Sequence, residues 1–225
     1  MTSIKEVLVR EKAVVVIDVL RATSVMITAL AHGASEIIPV ETQQEARLVS
    51  KEFPGALLCG ERNGIRIEGF DLGNSPAEYA KERVGGRSLI MTTSNGTRAI
   101  RACRDASSLL IGAFLNLETL SRRVADFDEL TIVCAGTHDR FSMDDALCAA
   151  LLIRHLKSIT GVTADDLGNF LLNTVSAERN LRRQLQECKH LHYLIHLGYE
   201  ADVEYCLQLN THKIVPEYVD GRLQV

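Results

Sequence analysis

The run AVVVIDVL at positions 13–20 is apolar almost without a break. An uninterrupted β-branched run of this length predicts a strand buried on both faces, central in a sheet. The following TSVMITALAHG carries apolar residues on several sides and predicts a helix stopped by Gly33, before a short strand EIIPV at 36–40. Thr42 and Glu45 form a T-x-x-E capping box for a helix ending near Phe53 and Pro54, ahead of the strand ALLCG. A helix at 76–83, a strand SLIMTT at 88–93, a helix from Thr97 to Cys103, a strand SLLIGAF at 108–114, a helix from Asn116 and a strand LTIVCAG at 130–136 continue the alternation. The rhythm calls for an α/β fold with a mostly parallel sheet and flanking helices, because parallel neighbours need crossover connections. From Ser142 to Lys157, and from Asp165 through His196, the pattern turns largely helical, giving a helix-rich C-terminal third. A single domain over 1–225 is expected, and it could divide into two α/β lobes near 1–115 and 116–225.

Composition adds exclusions. With 46% hydrophobic and 24% charged residues the 225-residue chain is that of an ordinary globular protein. A net charge of -4 without long runs of one sign predicts no general affinity for nucleic acid or anionic lipid. No apolar run reaches membrane-spanning length and the start MTSIKEVLVREK has no signal-peptide pattern, so a cytoplasmic protein is expected. The six cysteines, at 59, 103, 134, 148, 188 and 206, are scattered without a C-x-x-C pair, which predicts buried free thiols.

Ligands of parallel sheets sit beyond the carboxyl ends of the strands. That rule selects DVLRATS (18–24), GERNGIRIEGFDLGNSP (60–76), TTSNGTRA (92–99) and CAGTHDRFSMDD (134–145). Asp18 and Arg21 place a carboxylate and a guanidinium at one strand end, either as a salt bridge or as groups for a metal and a phosphate. In TTSNGTRA, hydroxyls and backbone amides open a helix with Arg98 in its first turn. An arginine there opposes the helix dipole, which favours an anion between them over a simple N-cap at Ser94 or Asn95. Ser142 with Asp144 and Asp145 is good helix capping, and paired carboxylates at a rim equally suit Mg²⁺. His138 and Asp139 are further acid/base candidates, and Cys134 reads as buried rather than nucleophilic. In the 60–76 stretch, Ser75, Pro76 and Glu78 start a helix. Glu61, Arg62, Asn63, Arg66, Glu68, Asp71 and Asn74 have no local structural reason, and a long structureless loop of this kind usually carries function.

Taken in order, DVLRATS, GERNGIRIEGFDLGNSP, TTSNGTRA, CAGTHDRFSMDDALCA and the late GYEADVEYCLQLN…VP resemble the 2-phosphosulfolactate phosphatase family, the ComB-like proteins. Ser94 stands where this family has Thr in a TTTNGT-like string, and Asp144 where Glu is common; both keep the hydroxyl or carboxylate. The resemblance implies a Mg²⁺-dependent phosphatase that converts 2-phospho-3-sulfolactate to 3-sulfolactate and phosphate, a step toward coenzyme M in some organisms. On that basis Asp18, Asp71 and Asp145 are expected as metal ligands, with Asp18 also a candidate nucleophile. Arg21 and Glu61 are expected in catalysis, Glu61 as acid/base. Arg62, Arg66, Asn74, Asn95, Gly96, Thr97 and Arg98 are expected to bind the small anionic phospho-acid, with Arg62 or Arg66 on its sulfonate. A homodimer is the default expectation. The readings that compete are a phosphatase of another 2-phospho-acid, an isochorismatase-like hydrolase built on Asp18 and Cys134, and a non-catalytic anion sensor.

Overall fold

The computed structural model describes residues 9–175 and 180–225. The elements follow in the order β1 (Ala13–Ile17), α1 (Ala22–Ala31), β2 (Glu36–Pro39), α2 (Gln43–Val49), β3 (Leu57–Arg62), β4 (Ile65–Arg66), a 3₁₀ turn (Pro76–Glu78), α3 (Lys81–Val84), β5 (Ser88–Thr92), α4 (Gly96–Ala102) and β6 (Ser108–Gly112). A second 3₁₀ turn (Phe114–Asn116), α5 (Leu117–Arg123), β7 (Leu130–Cys134), α6 (Met143–Thr160), α7 (Asp166–Thr174), α8 (Leu181–Gln184), α9 (Lys189–His196), α10 (Glu200–Cys206), β8 (Glu217–Val219) and β9 (Arg222–Gln224) complete the chain. The long helical pattern expected over 165–196 is thus broken into α7, α8 and α9, apart from residues 176–179, which lie outside those described.

The α/β class holds, with one correction to the sheet. Its order is β4-β3-β5-β2-β9-β8-β6-β1-β7. Parallel pairings join β3, β5 and β2 in one block and β6, β1 and β7 in another. The C-terminal hairpin β8–β9 inserts between them with antiparallel partners on both sides, and β4 returns antiparallel on β3, so parallel and antiparallel pairings are equal in number. The sequence signal missed this because strands of three residues leave too short a pattern to read as a hairpin.

The continuous apolar run of β1 now has its reason. Val14 and Val16 face a core shared with α1, α4, β2 and β5, whereas Val15 and Ile17 face a second core with α5, α6, α9 and α10. Every residue of β1 after Ala13 is buried, each such side chain contributing roughly 1.5–3 kcal/mol. Thr42 caps α2 as expected, its Oγ1 accepting from Glu45 N at 3.0 Å, but the reciprocal bond of a capping box shifts by one residue: the Glu45 carboxylate accepts from Glu41 N at 2.9 Å rather than from Thr42 N.

Three antiparallel steps lie between β2 and β6, so the two parallel blocks run in opposite formal senses. Right-handed twist of about 20–25° per neighbour, accumulated over the five steps from β5 to β1, brings those directions to within about 55–80° of each other. Carboxyl ends from both blocks can therefore meet at one place. The loops after β1, β3 and β5 do so, and that meeting point is the pocket described next.

Candidate active site

Asp18 follows β1 directly and is held by its own turn: its amide donates to Thr23 Oγ1, and Oδ1 accepts from Ala22 N at 3.3 Å. The carboxylate is 5% exposed and opens on a small pocket also lined by Glu61, Asn74 and Asn95. Gly96 stands behind it. A Cβ there would lie 2.7 Å from Asp18 Oδ2 and 2.6 Å from Ala22 Cβ, so only glycine lets the start of α4 approach this carboxylate. Burial lifts the Asp18 carboxyl to about 7; His190 opposes that shift, while Asp144 and Glu61 add to it.

The stretch at 60–66 is a β-hairpin rather than a structureless loop. Arg62 pairs with Ile65 across a two-residue Asn63–Gly64 turn in which both residues have positive φ, the geometry that favours Asn-Gly in tight hairpins. The tip is fastened from four sides. Gly64 N donates to Glu61 Oε2 at 2.7 Å, Arg21 donates to Gly64 O at 2.8 Å, Tyr193 donates to Asn63 O at 3.0 Å, and Asn63 N donates to Ser94 Oγ at 3.4 Å. Glu61 Oε1 also accepts from Ser94 N at 2.7 Å, so this carboxylate ties the ends of β3 and β5 together while facing the pocket.

Arg21 is 2% exposed, paired with Asp202 of α10, and stacked 4.0 Å over the Tyr199 ring. Asp202 in turn accepts from Ser75 Oγ at 2.7 Å. Ser75 therefore does not cap a helix with its side chain, as the sequence suggested; it joins the Arg21–Asp202 pair. This explains why the GYEADVEY segment matters to a site far away in sequence.

Several expected residues make other contacts in the structure. Asp71 Oδ2 accepts from Leu58 N at 2.8 Å, outside the pocket, where it secures the start of β3. Asp145 is close beneath Asp18, but its two oxygens accept from Val19 N and Gly136 N, pinning the loops after β1 and β7 together. Asp18, Asp71 and Asp145 thus form no common metal set, and among the described residues no group of three or more His, Cys, Asp or Glu side chains could hold a metal ion. Arg62 is spent on Glu61 O, Glu41 O and Thr92 Oγ1. Arg66 reaches out to Glu78 at 3.7 Å. Thr97 is sealed within its own turn by Thr93, donating to Thr93 O and accepting from Thr93 N. Arg98 pairs with Asp139 at 3.5 Å and lines a wider cavity of about 610 Å³ that adjoins the pocket at Asn95. Cys134 is exposed, unlike the other five cysteines, because β7 is the last strand of the sheet.

Ser94, Thr137, His138, His190 and Tyr193 are among the further residues that line the pocket. His190 is the residue that sequence reasoning overlooked, since KHLHYLIH reads as an amphipathic helix and its histidines as surface. Its Nδ1 lies 3.2 Å from Thr137 Oγ1 and 3.8 Å from Asp144 Oδ2, the latter an ion-pair distance rather than a hydrogen bond. Burial disfavours the charged imidazole, but Asp144 outweighs it and raises the pKa. For Asp144 burial likewise acts against the charge, yet His190 and Ser142 hold its pKa below the usual value. Ser142 donates to Asp144 rather than capping α6.

The pocket suits a hard cation with an anionic ligand. Asp18 and Glu61 supply carboxylate oxygens, and Asn74 Oδ1, buried and without a hydrogen-bond partner among the described residues, supplies a neutral one. Mg²⁺ characteristically uses one or two carboxylates and completes its shell with water and phosphate oxygens. Arg21 being committed to Asp202, a dianionic phosphate would otherwise meet two carboxylates with little positive charge to offset them.

A sequence model of the family described as 2-phosphosulpholactate phosphatase matches residues 2–221. A relative from Caldanaerobacter subterraneus, named probable 2-phosphosulfolactate phosphatase, is 45% identical over 94% of this chain and 90% of its own. Relatives of the same name from Thermotoga petrophila and Clostridium acetobutylicum are 42% and 39% identical, covering 93% and 98% of this chain and 90% and 95% of theirs.

Proposed function

Because the chain belongs to the 2-phosphosulfolactate phosphatase family, we propose that it hydrolyses 2-phospho-3-sulfolactate to 3-sulfolactate and phosphate with Mg²⁺. The observation that carries the Mg²⁺ part is Asn74 Oδ1, which lines the same pocket as Asp18 and has no hydrogen-bond partner among the described residues. Asp18 and Asn74 would hold the ion. Bound there, it would supply positive charge to the phosphoryl oxygens as the ester bond breaks.

The chain's own residues do the rest. Glu61 holds the β3 and β5 loops in register with Asp18, and Asn95 presents its side-chain amide to the phosphoryl group from the start of α4. Arg21 fixes the hairpin tip that closes one side, acting through Gly64 rather than on substrate. Arg98, in the adjoining cavity, is the arginine placed for the charges at the far end of the substrate. Phosphate release from 2-phospho-3-sulfolactate, measured with Mg²⁺ and again after chelation, tests the reading. Activity that survives complete chelation refutes the metal; inactivity on every 2-phospho-acid refutes the phosphatase.

A further inference from the structure

We propose that His190 is the general acid of the reaction, protonating the leaving C2 oxygen from Nε2 while the chain Thr137–Ser142–Asp144 holds its Nδ1 hydrogen. This rests on the phosphatase reading above and assigns a residue that the sequence motifs do not contain.

Hydrogen-bond polarity fixes the ring. The Asp144 carboxylate can only accept, so the Ser142 hydroxyl hydrogen is committed to it. The Ser142 oxygen then accepts from the Thr137 hydroxyl at 3.3 Å, and the Thr137 oxygen, its own hydrogen used, accepts from His190 Nδ1 at 3.2 Å. Nδ1 therefore carries a hydrogen in both protonation states, and the proton that comes and goes is on Nε2. That nitrogen has no protein partner among the described residues, and the imidazole lines the same pocket as Asp18. The carboxylate at the end of the chain favours the charged ring, as an orienting Asp does behind other catalytic histidines.

The chemistry needs such a group. A secondary alkoxide beside a carboxylate is a poor leaving group, and phosphoryl transfer places much of the developing charge on that oxygen. As an oxygen–phosphorus bond forms from water, the bond from phosphorus to the C2 oxygen breaks with its electron pair on oxygen. His190 Nε2–H supplies the proton that makes the hydroxyl of the product. The proton lost by the attacking water restores the imidazolium, so the products are the hydroxy acid and hydrogen phosphate.

The test compares 2-phospholactate with 3,3,3-trifluoro-2-phospholactate, which share a shape but differ in how much the departing oxygen needs a proton. His190→Ala is expected to lower kcat on 2-phospholactate by about 10²–10⁴-fold, with KM little changed, and to lower kcat on the trifluoro ester at least tenfold less. Thr137→Val, which removes the acceptor from Nδ1, should give the same pattern at smaller size. Equal losses on both esters, or a raised KM with kcat intact, would overturn the assignment. Should His190→Ala not fold, the wild-type enzyme decides through a fluorinated series. A shallow dependence of kcat on leaving-group acidity is expected, and a steep one excludes a proton donor. A wild-type protein inactive on all of these esters sinks the phosphatase reading and the general acid with it, whereas an active one with the wrong pattern sinks the general acid alone.

Discussion

One wall of the pocket is the hairpin at 60–66, a stretch crowded with charged side chains; facing it is α9, whose sequence looks like a plain amphipathic helix. In the hairpin most of the charge is consumed internally. Glu61 braces two loops, Arg62 bonds two carbonyls and a hydroxyl, and Arg66 turns away from the site. On α9, His190 keeps a ring nitrogen without a described partner, backed by a chain of hydroxyls and a carboxylate. Polar density in a sequence thus marks where backbone must be held in an unusual path as readily as where chemistry occurs. The difference between a brace and a reacting group is whether an atom is left unpaired toward the cavity.

The largest effect that could break this comparison is at Asp18. Asp18→Asn is expected to reduce kcat by about a thousandfold or more, since it removes charge where the phosphoryl group and its metal would bind; the isosteric amide should leave the fold intact by thermal unfolding. Near-normal turnover would show that the pocket is not the reaction centre. Next comes Arg21→Ala, which strands Asp202 in a buried site and frees the hairpin tip. It should cost about 3–5 kcal/mol of stability, read as a shift in urea midpoint. If Arg21 instead acts on substrate, stability will hold and kcat alone will fall. Gly96→Ala tests the close approach of α4 to Asp18: the added methyl should cost about 1–3 kcal/mol, and it should depress kcat as Asp18 is pushed aside. An alanine tolerated in both respects would mean that the helix start is free to move.

How much of this was legible follows from the range over which each signal acts. The burial of β1, the Thr42 N-cap and the alternation of strands and helices are local patterns, and they appear where the sequence put them. Asp18, Arg21, Glu61, Asn74 and Asn95 line one pocket, as the convergence of strand ends in α/β sheets leads one to expect. Asp71 and Asp145 accept from backbone amides in the structure, and an acidic residue near a strand end looks the same in sequence whether it meets a metal or a backbone amide. His190 could not be recognised, since its partners Thr137, Ser142 and Asp144 lie about fifty residues earlier and only the packing of α9 against the start of α6 brings them together. The β8–β9 insertion was hidden for the same reason: its register is fixed by β2 and β6, not by its own few residues.

The smallest effect separates two arginines that looked equivalent in sequence. Arg66 is more than half exposed and its link to Glu78 spans 3.7 Å, an exposed pair of the kind that contributes little. Arg66→Ala should leave KM for 2-phospho-3-sulfolactate within about twofold and stability within about 0.5 kcal/mol. Arg98 shares its charge with Asp139 yet lines the cavity that continues from the pocket past Asn95. Arg98→Ala should raise KM about five- to thirtyfold, the loss of one charge-assisted hydrogen bond at a partly exposed site, with kcat nearly unchanged. The effect should shrink on 2-phospholactate, which has no sulfonate to lose. If Arg66→Ala raises KM and Arg98→Ala does not, substrate approaches over the hairpin rather than through the wider cavity, and the hairpin's outer charges regain the recognition role that their sequence suggested.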